Sequence, residues 1–168
     1  MIKKIIRLDS FNVGENKIIV ADPSYDFGDF GTLILNDVLE GKYFANITTA
    51  DNLVTSLNII HSNYKNIELN FSLYGEIFVD SGQAGFFDER YFKENQGGTF
   101  SDVTSFYGLA CSITMSPKQA GIMQRKGVVS SSGFGDGFYS VFVSVNSNGK
   151  IIAALIEFIS EKDLEELK

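Results

Sequence analysis

Alternating apolar and polar residues predict β-strands along much of this chain. The clearest alternation is "IELNFSLY" (residues 67–74), in which every second residue from Ile67 onward is apolar. A strand places successive side chains on opposite faces, so this segment is predicted to be a half-buried strand. Gly75 would end it, and "EIFVD" (76–80) would follow as its hairpin partner.

Shorter segments predict further strands, and one segment is ambiguous. "IKKIIRL" (2–8), "KIIVAD" (17–22) and "GKYFANITTAD" (41–51) are rich in β-branched residues or alternate in part, as strands do. "LVTSLNIIHS" (53–62) fits both a strand and a helix. "SGQAGF" (81–86) is predicted to be a glycine-rich connection between elements.

The C-terminal part of the sequence predicts a hairpin with a defined register. Asn148-Gly149 is the strongest two-residue turn signal, because both positions of a type I′ turn need positive φ. A one-residue slip would mix the two faces of the hairpin, so the register is well specified. The predicted apolar pairs are Val145 with Ile152, Val143 with Ala154, Val141 with Ile156 and Tyr139 with Phe158.

A second turn upstream would extend this hairpin into a three-stranded meander. With Asp136-Gly137 as a two-residue turn, residues 128–134 would pair with residues 139–145. The serines within "VVSSSGFGDG" (128–137) would then be small buried residues on the core face. A loop at Gly135-Asp136 would give a different pairing, and the sequence does not distinguish the two.

Three segments carry helix signals. Asp88 is a suitable N-cap for a short helix directly after it. Residues 99–116 place apolar side chains at the spacing of an amphipathic helix. The tail, 159–168, has Ser160 as its N-cap and Asp163 at the third helical position. Together with the strands, these signals predict an α+β fold dominated by antiparallel sheet, with one or two short helices and a C-terminal helix.

Composition supports one folded domain. The chain has 168 residues, which is within the usual range for a single domain. Hydrophobic residues make up 44% of it, and a chain of this length hides about two-thirds of its unfolded surface. We therefore treat residues 1–168 as one domain with a core of Phe, Ile, Val and Leu.

The net charge of −7 argues against ordinary nucleic-acid binding, because an acidic chain repels phosphate. Acidity also suits contact with a basic partner, although solubility is the better supported explanation. The single cysteine, Cys111, forbids an intramolecular disulfide. No apolar run approaches the ~20 residues that span a bilayer, and the N-terminus does not have the pattern of a signal peptide. We therefore expect a cytoplasmic protein without membrane contact.

The glycine-rich turn "SSSGFGDG" (130–137) matches no catalytic motif. It lacks the lysine of a Walker A loop, and it leads into a strand rather than the helix of a nucleophile elbow. A plain hairpin is favoured over a turn that contacts a ligand. His61, the only histidine, is interpreted as a structural or surface residue, and Cys111 as a small buried hydrophobic residue. We assign no catalytic residue, no metal ligand and no cofactor.

Polar loops flanked by glycine are the best candidates for a binding site, because glycine lets another backbone or a ligand approach closely. These loops are 22–31, 79–88 and the Ser132–Tyr139 turn. The aspartates of the first loop lack EF-hand spacing and are interpreted as turn and cap residues. The candidate ligand-binding residues are Asp22, Tyr25, Asp80, Ser81, Gln83, Asp88, Ser132, Asp136 and Tyr139.

Three blocks of the sequence together resemble a family of uncharacterised bacterial and bacteriophage proteins. The blocks are "VADPSY" (20–25), "VDSGQAGFFD" (79–88) and "SSGFGDGFYSVFVSVNSNGKIIAALIEF" (131–158). The resemblance implies a compact β-rich domain and a phage or mobile-element origin. It implies no activity, since the family has none assigned. The matching residues are Asp22, Pro23, Asp80, Gly82, Asp88, Ser132, Gly133, Gly135, Asp136, Gly137 and Tyr139.

These observations predict a non-enzymatic binding protein whose partner is a small molecule or a host protein. For a phage-encoded protein, this becomes a counter-defence role: it would sequester a small signalling nucleotide or occlude a host protein with its acidic surface. Two other classes stay open. One is a metal-assisted hydrolase or nucleotide-processing enzyme that uses Asp80, Asp88 and Asp136, and the other is a structural or assembly subunit. The sequence also leaves oligomerisation open.

Overall fold

A computed structural model describes residues 1–168 and contains two antiparallel sheets. Across the six-stranded sheet, the strands are β1 (Lys3–Val13), β4 (Gly41–Ala50), β5 (Leu53–His61), β11 (Ile151–Glu157), β10 (Gly137–Val145) and β6 (Ser72–Val79). Across the five-stranded sheet, they are β3 (Leu33–Leu35), β2 (Ile18–Ala21), β7 (Gln83–Asp88), β9 (Gly127–Ser131) and β8 (Ala120–Met123). The helices are α1 (Glu89–Asn95), α2 (Phe106–Thr114), α3 (Glu161–Glu166) and a short 3₁₀ helix, Ser62–Tyr64.

The main hydrophobic core lies between the two sheets. It is one cluster of 27 buried residues that includes side chains from both sheets. In β4, Tyr43 and Ile47 point into this core, whereas Phe44 between them is half-buried on the opposite face. This alternation is typical of a sheet with one covered face, and the stacking of two such faces makes a sandwich.

A second, smaller cluster lies on the outer face of the five-stranded sheet, under α1 and α2. Phe87 of β7 packs against Phe92 of α1 and Phe106 of α2, with ring centroids 5.5 and 5.2 Å away. β7 is buried along its whole length because the main core covers its other face. The molecule therefore has three layers: the six-stranded sheet, the five-stranded sheet and the pair of helices.

The predicted fold class is confirmed: the protein is α+β, dominated by antiparallel sheet, with short helices and a C-terminal helix. Asp88 caps α1, accepting a hydrogen bond from the Tyr91 N–H, as predicted. Ser160 and Asp163 form the full capping box of α3. The helix predicted over 99–116 is shorter and covers Phe106–Thr114. No helix of the protein is long and apolar enough to cross a membrane.

The strand predicted over residues 67–74 is wrong in its first half. β6 begins at Ser72 and continues through Gly75, so residues 67–74 and 76–80 do not form a hairpin. Ile67 is 54% exposed despite its alternating pattern. Gly75 does not break the strand because a register irregularity opposite Val141 accommodates it.

The meander predicted upstream of β10 is also wrong. β9 pairs with β7 and β8 in the five-stranded sheet and not with β10. Residues 132–136 therefore carry the chain from one sheet to the other, with Gly133 and Gly135 at positive φ. Residues 83–86, predicted to be a connection, belong to β7. The ambiguous segment 53–62 is a strand over most of its length.

The Asn148-Gly149 hairpin is present with an altered turn. Val141 pairs with Ile156 and Val143 with Ala154, as predicted. Val145 pairs with Ile151 rather than Ile152, because the register shifts there. The Gly149 N–H donates to the Asn146 carbonyl, so the turn is centred one residue earlier and Gly149 occupies the positive-φ bulge position.

Candidate functional site

Three connections meet at one end of the sandwich. They are the loop after β2, the β6–β7 connection and the crossover from β9 to β10. The strand pairing explains this: Ala21 pairs with Gly85, Gln83 with Ser131, and Val79 with Gly137. We call this region the acidic end, because Asp22, Asp80 and Asp136 lie on the three connections.

Asp22 is the centre of a buried hydrogen-bond network. Its side chain is fully buried, and its Oδ2 accepts from the backbone N–H groups of Asp80 (2.8 Å) and Ser81 (2.7 Å). Its Oδ1 accepts from the Ser24 N–H (2.8 Å) and the Ser81 hydroxyl (2.6 Å). Four donors satisfy both oxygens, so Asp22 holds two connections together.

Gln83 extends this network to helix α2. Its amide N–H donates to the Ser81 Oγ (3.2 Å) and to the Cys111 Sγ (3.5 Å). Its carbonyl oxygen accepts from the Thr114 hydroxyl at 2.8 Å. Cys111 and Thr114 are buried, and Cys111 therefore has the structural role that the sequence predicts. We call the buried side chains of Asp22, Gln83 and Thr114, together with the half-buried Ser81, the buried network.

The turn between β9 and β10 is fixed by its own polar residues. The Asp136 Oδ1 accepts from the Gly82 N–H at 3.0 Å, which ties the turn to the β6–β7 connection. Ser132 is buried and its hydroxyl donates to the Gly135 carbonyl at 2.7 Å. The Tyr139 hydroxyl lies 3.0 Å from the Ser132 carbonyl and 2.6 Å from the Gly135 carbonyl. These contacts hold the turn against the β6–β7 connection and against β10.

Asp88 does not join the other eight candidate residues. It lies at the far end of β7, roughly 17 Å along the strand from Gln83 at about 3.3 Å per residue. Its Oδ1 caps α1, and its Oδ2 accepts from the Gly14 N–H at 2.9 Å. Asp80 and Asp88 are therefore not placed for joint acid–base work. No three His, Cys, Asp or Glu side chains are grouped to hold a metal ion.

The acidic end has a negative electrostatic potential that acts on Tyr25. Partial burial raises the pKa of Tyr25 above its ordinary value, and the nearby carboxylates of Asp80, Asp22, Asp136 and Asp29 raise it further. Each carboxylate disfavours the negatively charged tyrosinate. Four carboxylates therefore lie close enough to Tyr25 to affect it.

No basic residue belongs to the segments that build this end. Residues 18–41, 66–89 and 127–149 contain no lysine and no arginine. The four ion pairs of the protein involve none of Asp22, Asp80 and Asp136. The charge of the acidic end is thus not compensated by cations from its own segments.

Three phenylalanines form a cluster at this end, and two of them are exposed. The rings of Phe78 and Phe138 lie 4.8 Å apart, and Phe30 lies 6.3 and 6.5 Å from them. Phe30 is 79% exposed and Phe138 is 57% exposed. Asp29, Asp80 and Asp136 are each one or two residues away from one of these rings in the chain. We call Phe30, Phe78 and Phe138 the aromatic corner.

Sequence reasoning did not identify the aromatic corner. One sequence pattern could have identified it: each of the three phenylalanines has an aspartate one or two positions away and no lysine or arginine nearby. Three surface grooves of about 250 to 290 Å³ lie elsewhere, and none is lined by a candidate residue. The candidate residues therefore do not surround any of these three grooves.

Comparison with known proteins defines the class of this protein as a family without an assigned function. The family model "Protein of unknown function (DUF4241)" matches residues 11–156. The chain belongs to this family, which covers most of its length. The expected membership of a family with no assigned activity is confirmed, whereas a bacterial or phage origin stays a prediction. Neither the curated proteins nor the solved structures gave a match to this chain.

Proposed function

We propose that this protein is a non-enzymatic binding protein that contacts another protein through the aromatic corner. The observation that carries the proposal is the exposure of Phe30 and Phe138, whose rings cluster with Phe78. Exposed aromatic clusters rimmed by polar residues mark protein interaction sites. Aromatic residues at the centre of an interface supply much of the binding energy.

The partner that fits this surface is basic around an apolar contact region. Asp29, Asp80 and Asp136 surround the aromatic corner, and their segments contain no lysine or arginine. Such a rim speeds association with a positively charged partner and disfavours acidic ones. Occlusion of a host protein by a phage-encoded factor is one biological role that would use this surface.

A small signalling nucleotide fits this surface less well. The carboxylates that raise the pKa of Tyr25 would repel a phosphate group at the same place. The aromatic corner also lines none of the three grooves described above, whereas small molecules bind in concave pockets. We therefore favour the protein partner over the nucleotide.

Affinity capture with matched variants tests the proposal. Wild-type protein on beads should retain a partner from a bacterial lysate, and the double variant Phe30→Ser/Phe138→Ser should lose it. The matched control is Phe71→Ser, which removes an exposed phenylalanine beyond the other end of β6. Raising the salt concentration should weaken retention, because screening reduces attraction to the acidic rim.

A nucleotide panel completes the test. The protein is incubated with nucleotides and heat-denatured, and the released material is analysed by mass spectrometry. Release of an intact nucleotide would contradict the protein-partner proposal in favour of sequestration, and release of a changed nucleotide would indicate an enzyme. Equal retention of the partner by the double variant and the wild type would exclude the aromatic corner as the contact surface.

A further inference from the structure

The outer face of the six-stranded sheet is not covered by any helix along two complete rows of residues. The first row follows the strand register through Arg7, Asn46, Asn58, Leu155, Phe142 and Leu73. The next row follows it through Ile5, Thr48, Ser56, Glu157, Ser140 and Glu76. None of these twelve side chains is buried. We call this surface the open face.

Charge is distributed unevenly across the open face. Arg7 lies on β1 at one edge of the sheet, and Lys42 and Lys65 lie over the Phe44 ring on neighbouring β4. Glu76 lies on β6 at the opposite edge, with Glu157 two strands away. Neither Arg7 nor Glu76 belongs to an ion pair within the chain. The face is therefore basic at the β1 edge and acidic at the β6 edge.

We propose that the open face binds a second copy of this chain. A two-fold axis parallel to the strands places β1 of one copy over β6 of the other, so that Arg7 approaches the partner's Glu76. These residues are one register row apart, about 7 Å along a strand, which an arginine side chain can span. An axis across the strands would instead place Arg7 over the partner's Arg7, which is repulsive. Charge thus selects one orientation.

Apolar residues near the centre of the face support the same arrangement. Leu155 and Phe142 are half-buried neighbours on β11 and β10, the fourth and fifth strands of the sheet. The two-fold axis runs between β5 and β11, so Leu155 would lie over the partner's Asn58 and next to the partner's Leu155. Apolar contacts near the centre with charged edges are the usual composition of a protein interface.

The available area is sufficient for a weak dimer. Six strands about 4.8 Å apart and two rows that each cover about 7 Å of strand give roughly 400 Å² for each copy. The total of about 800 Å² is in the range of weak and transient interfaces. We therefore expect a dissociation constant in roughly the micromolar range. This inference goes beyond the proposed function, and its test leaves Phe30 and Phe138 unchanged.

Charge reversal tests this dimer. Sedimentation velocity from about 1 to about 200 μM should show a monomer–dimer equilibrium for the wild type. Arg7→Glu and Glu76→Arg should each weaken the dimer roughly tenfold or more, because like charges then face each other. The double variant Arg7→Glu/Glu76→Arg should restore it. An equimolar mixture of the two single variants should also form a dimer, since both of its contacts are then complementary.

The control variant is Lys118→Glu, which reverses an exposed charge between α2 and β8, away from the open face. It should leave the dimer unchanged, and circular dichroism should show that all variants fold. A wild-type protein that stays monomeric over the whole range would overturn the proposal. A dimer that both single reversals leave intact would overturn it too, because another surface would then form the contact.

Discussion

The buried network and the aromatic corner lie at the same end of the molecule but have opposite properties. Asp22 is charged and fully buried, whereas Phe30, eight residues later, is apolar and 79% exposed. Proteins normally place these residue types the other way round. The comparison indicates that the aspartate maintains the structure, and the exposure of the phenylalanine supports our proposal that it contacts a partner.

The two regions are connected physically. The carboxylate of Asp22 fixes the backbone of residues 80 and 81, and Phe78 lies two positions before them. Asp136 fixes the turn that precedes Phe138 in the same way. A partner that binds pre-ordered side chains loses less conformational entropy. The buried network would therefore contribute to affinity without contacting the partner.

Asp22→Asn should have the largest effect on the buried network. The amide replaces one acceptor oxygen with an N–H₂ group that faces backbone donors, and it removes the charge that strengthens four hydrogen bonds. We expect a loss of about 3 kcal/mol in the free energy of unfolding, measured by urea denaturation. Asp26→Asn, at an exposed position in the same loop, is the control. A loss below about 0.5 kcal/mol would show that Asp22 does not hold the connections.

The sequence grouped nine candidate residues because they lie in glycine-flanked polar loops, and eight of them do lie at one end of the molecule. Loops rich in glycine and polar residues follow strand ends, and the strand ends meet. The sequence did not predict that Asp22, Gln83 and Ser132 are buried. Their burial depends on the crossover of residues 132–136 between sheets, which local patterns do not encode.

The fold was predictable where one face of a strand is exposed. Alternation identified β4, and the turn residues located the β10–β11 hairpin. Prediction from alternation failed for β7, because both faces of this strand are buried and its sequence does not alternate. At Gly85 a Cβ atom would lie 2.3 Å from the Val128 carbonyl oxygen, so this glycine permits close strand approach rather than marking a loop.

Tyr139→Phe should have an intermediate effect. It removes the hydroxyl that holds the Ser132 and Gly135 carbonyls and leaves these acceptors without that donor. We expect a loss of about 1 to 2 kcal/mol in the free energy of unfolding, measured by urea denaturation. Tyr74→Phe, which removes a more exposed hydroxyl bound to the Ile34 carbonyl, should cost less. Equal losses of unfolding free energy in the two variants would mean that the Tyr139 hydroxyl stabilises its turn no more than a more exposed hydroxyl does.

Asp80→Asn should change the electrostatics of the acidic end with little effect on stability. Asp80 is exposed, and Asp22 accepts from its backbone N–H rather than contacting its side chain. Burial keeps the pKa of Tyr25 above its ordinary value, but the loss of one carboxylate should lower that pKa because tyrosinate is less disfavoured. An NMR titration of the tyrosine ring carbons measures the shift. Asp9→Asn, on β1, is the control. If it shifted the pKa of Tyr25 by the same amount, the Asp80 carboxylate would not be the cause of the shift.

Phe30→Ser should have the smallest effect on stability and therefore separates the two regions most clearly. Its ring is 79% exposed and contacts the other two rings of the aromatic corner only at centroid distances of 6.3 and 6.5 Å. We expect a change within about 0.5 kcal/mol in the free energy of unfolding, because little apolar area returns to water. A loss above about 1.5 kcal/mol would instead identify the corner as a packing cluster like the one around Phe87. The proposal of a partner surface depends on this difference, since a phenylalanine that stabilises the fold would have a role without any partner.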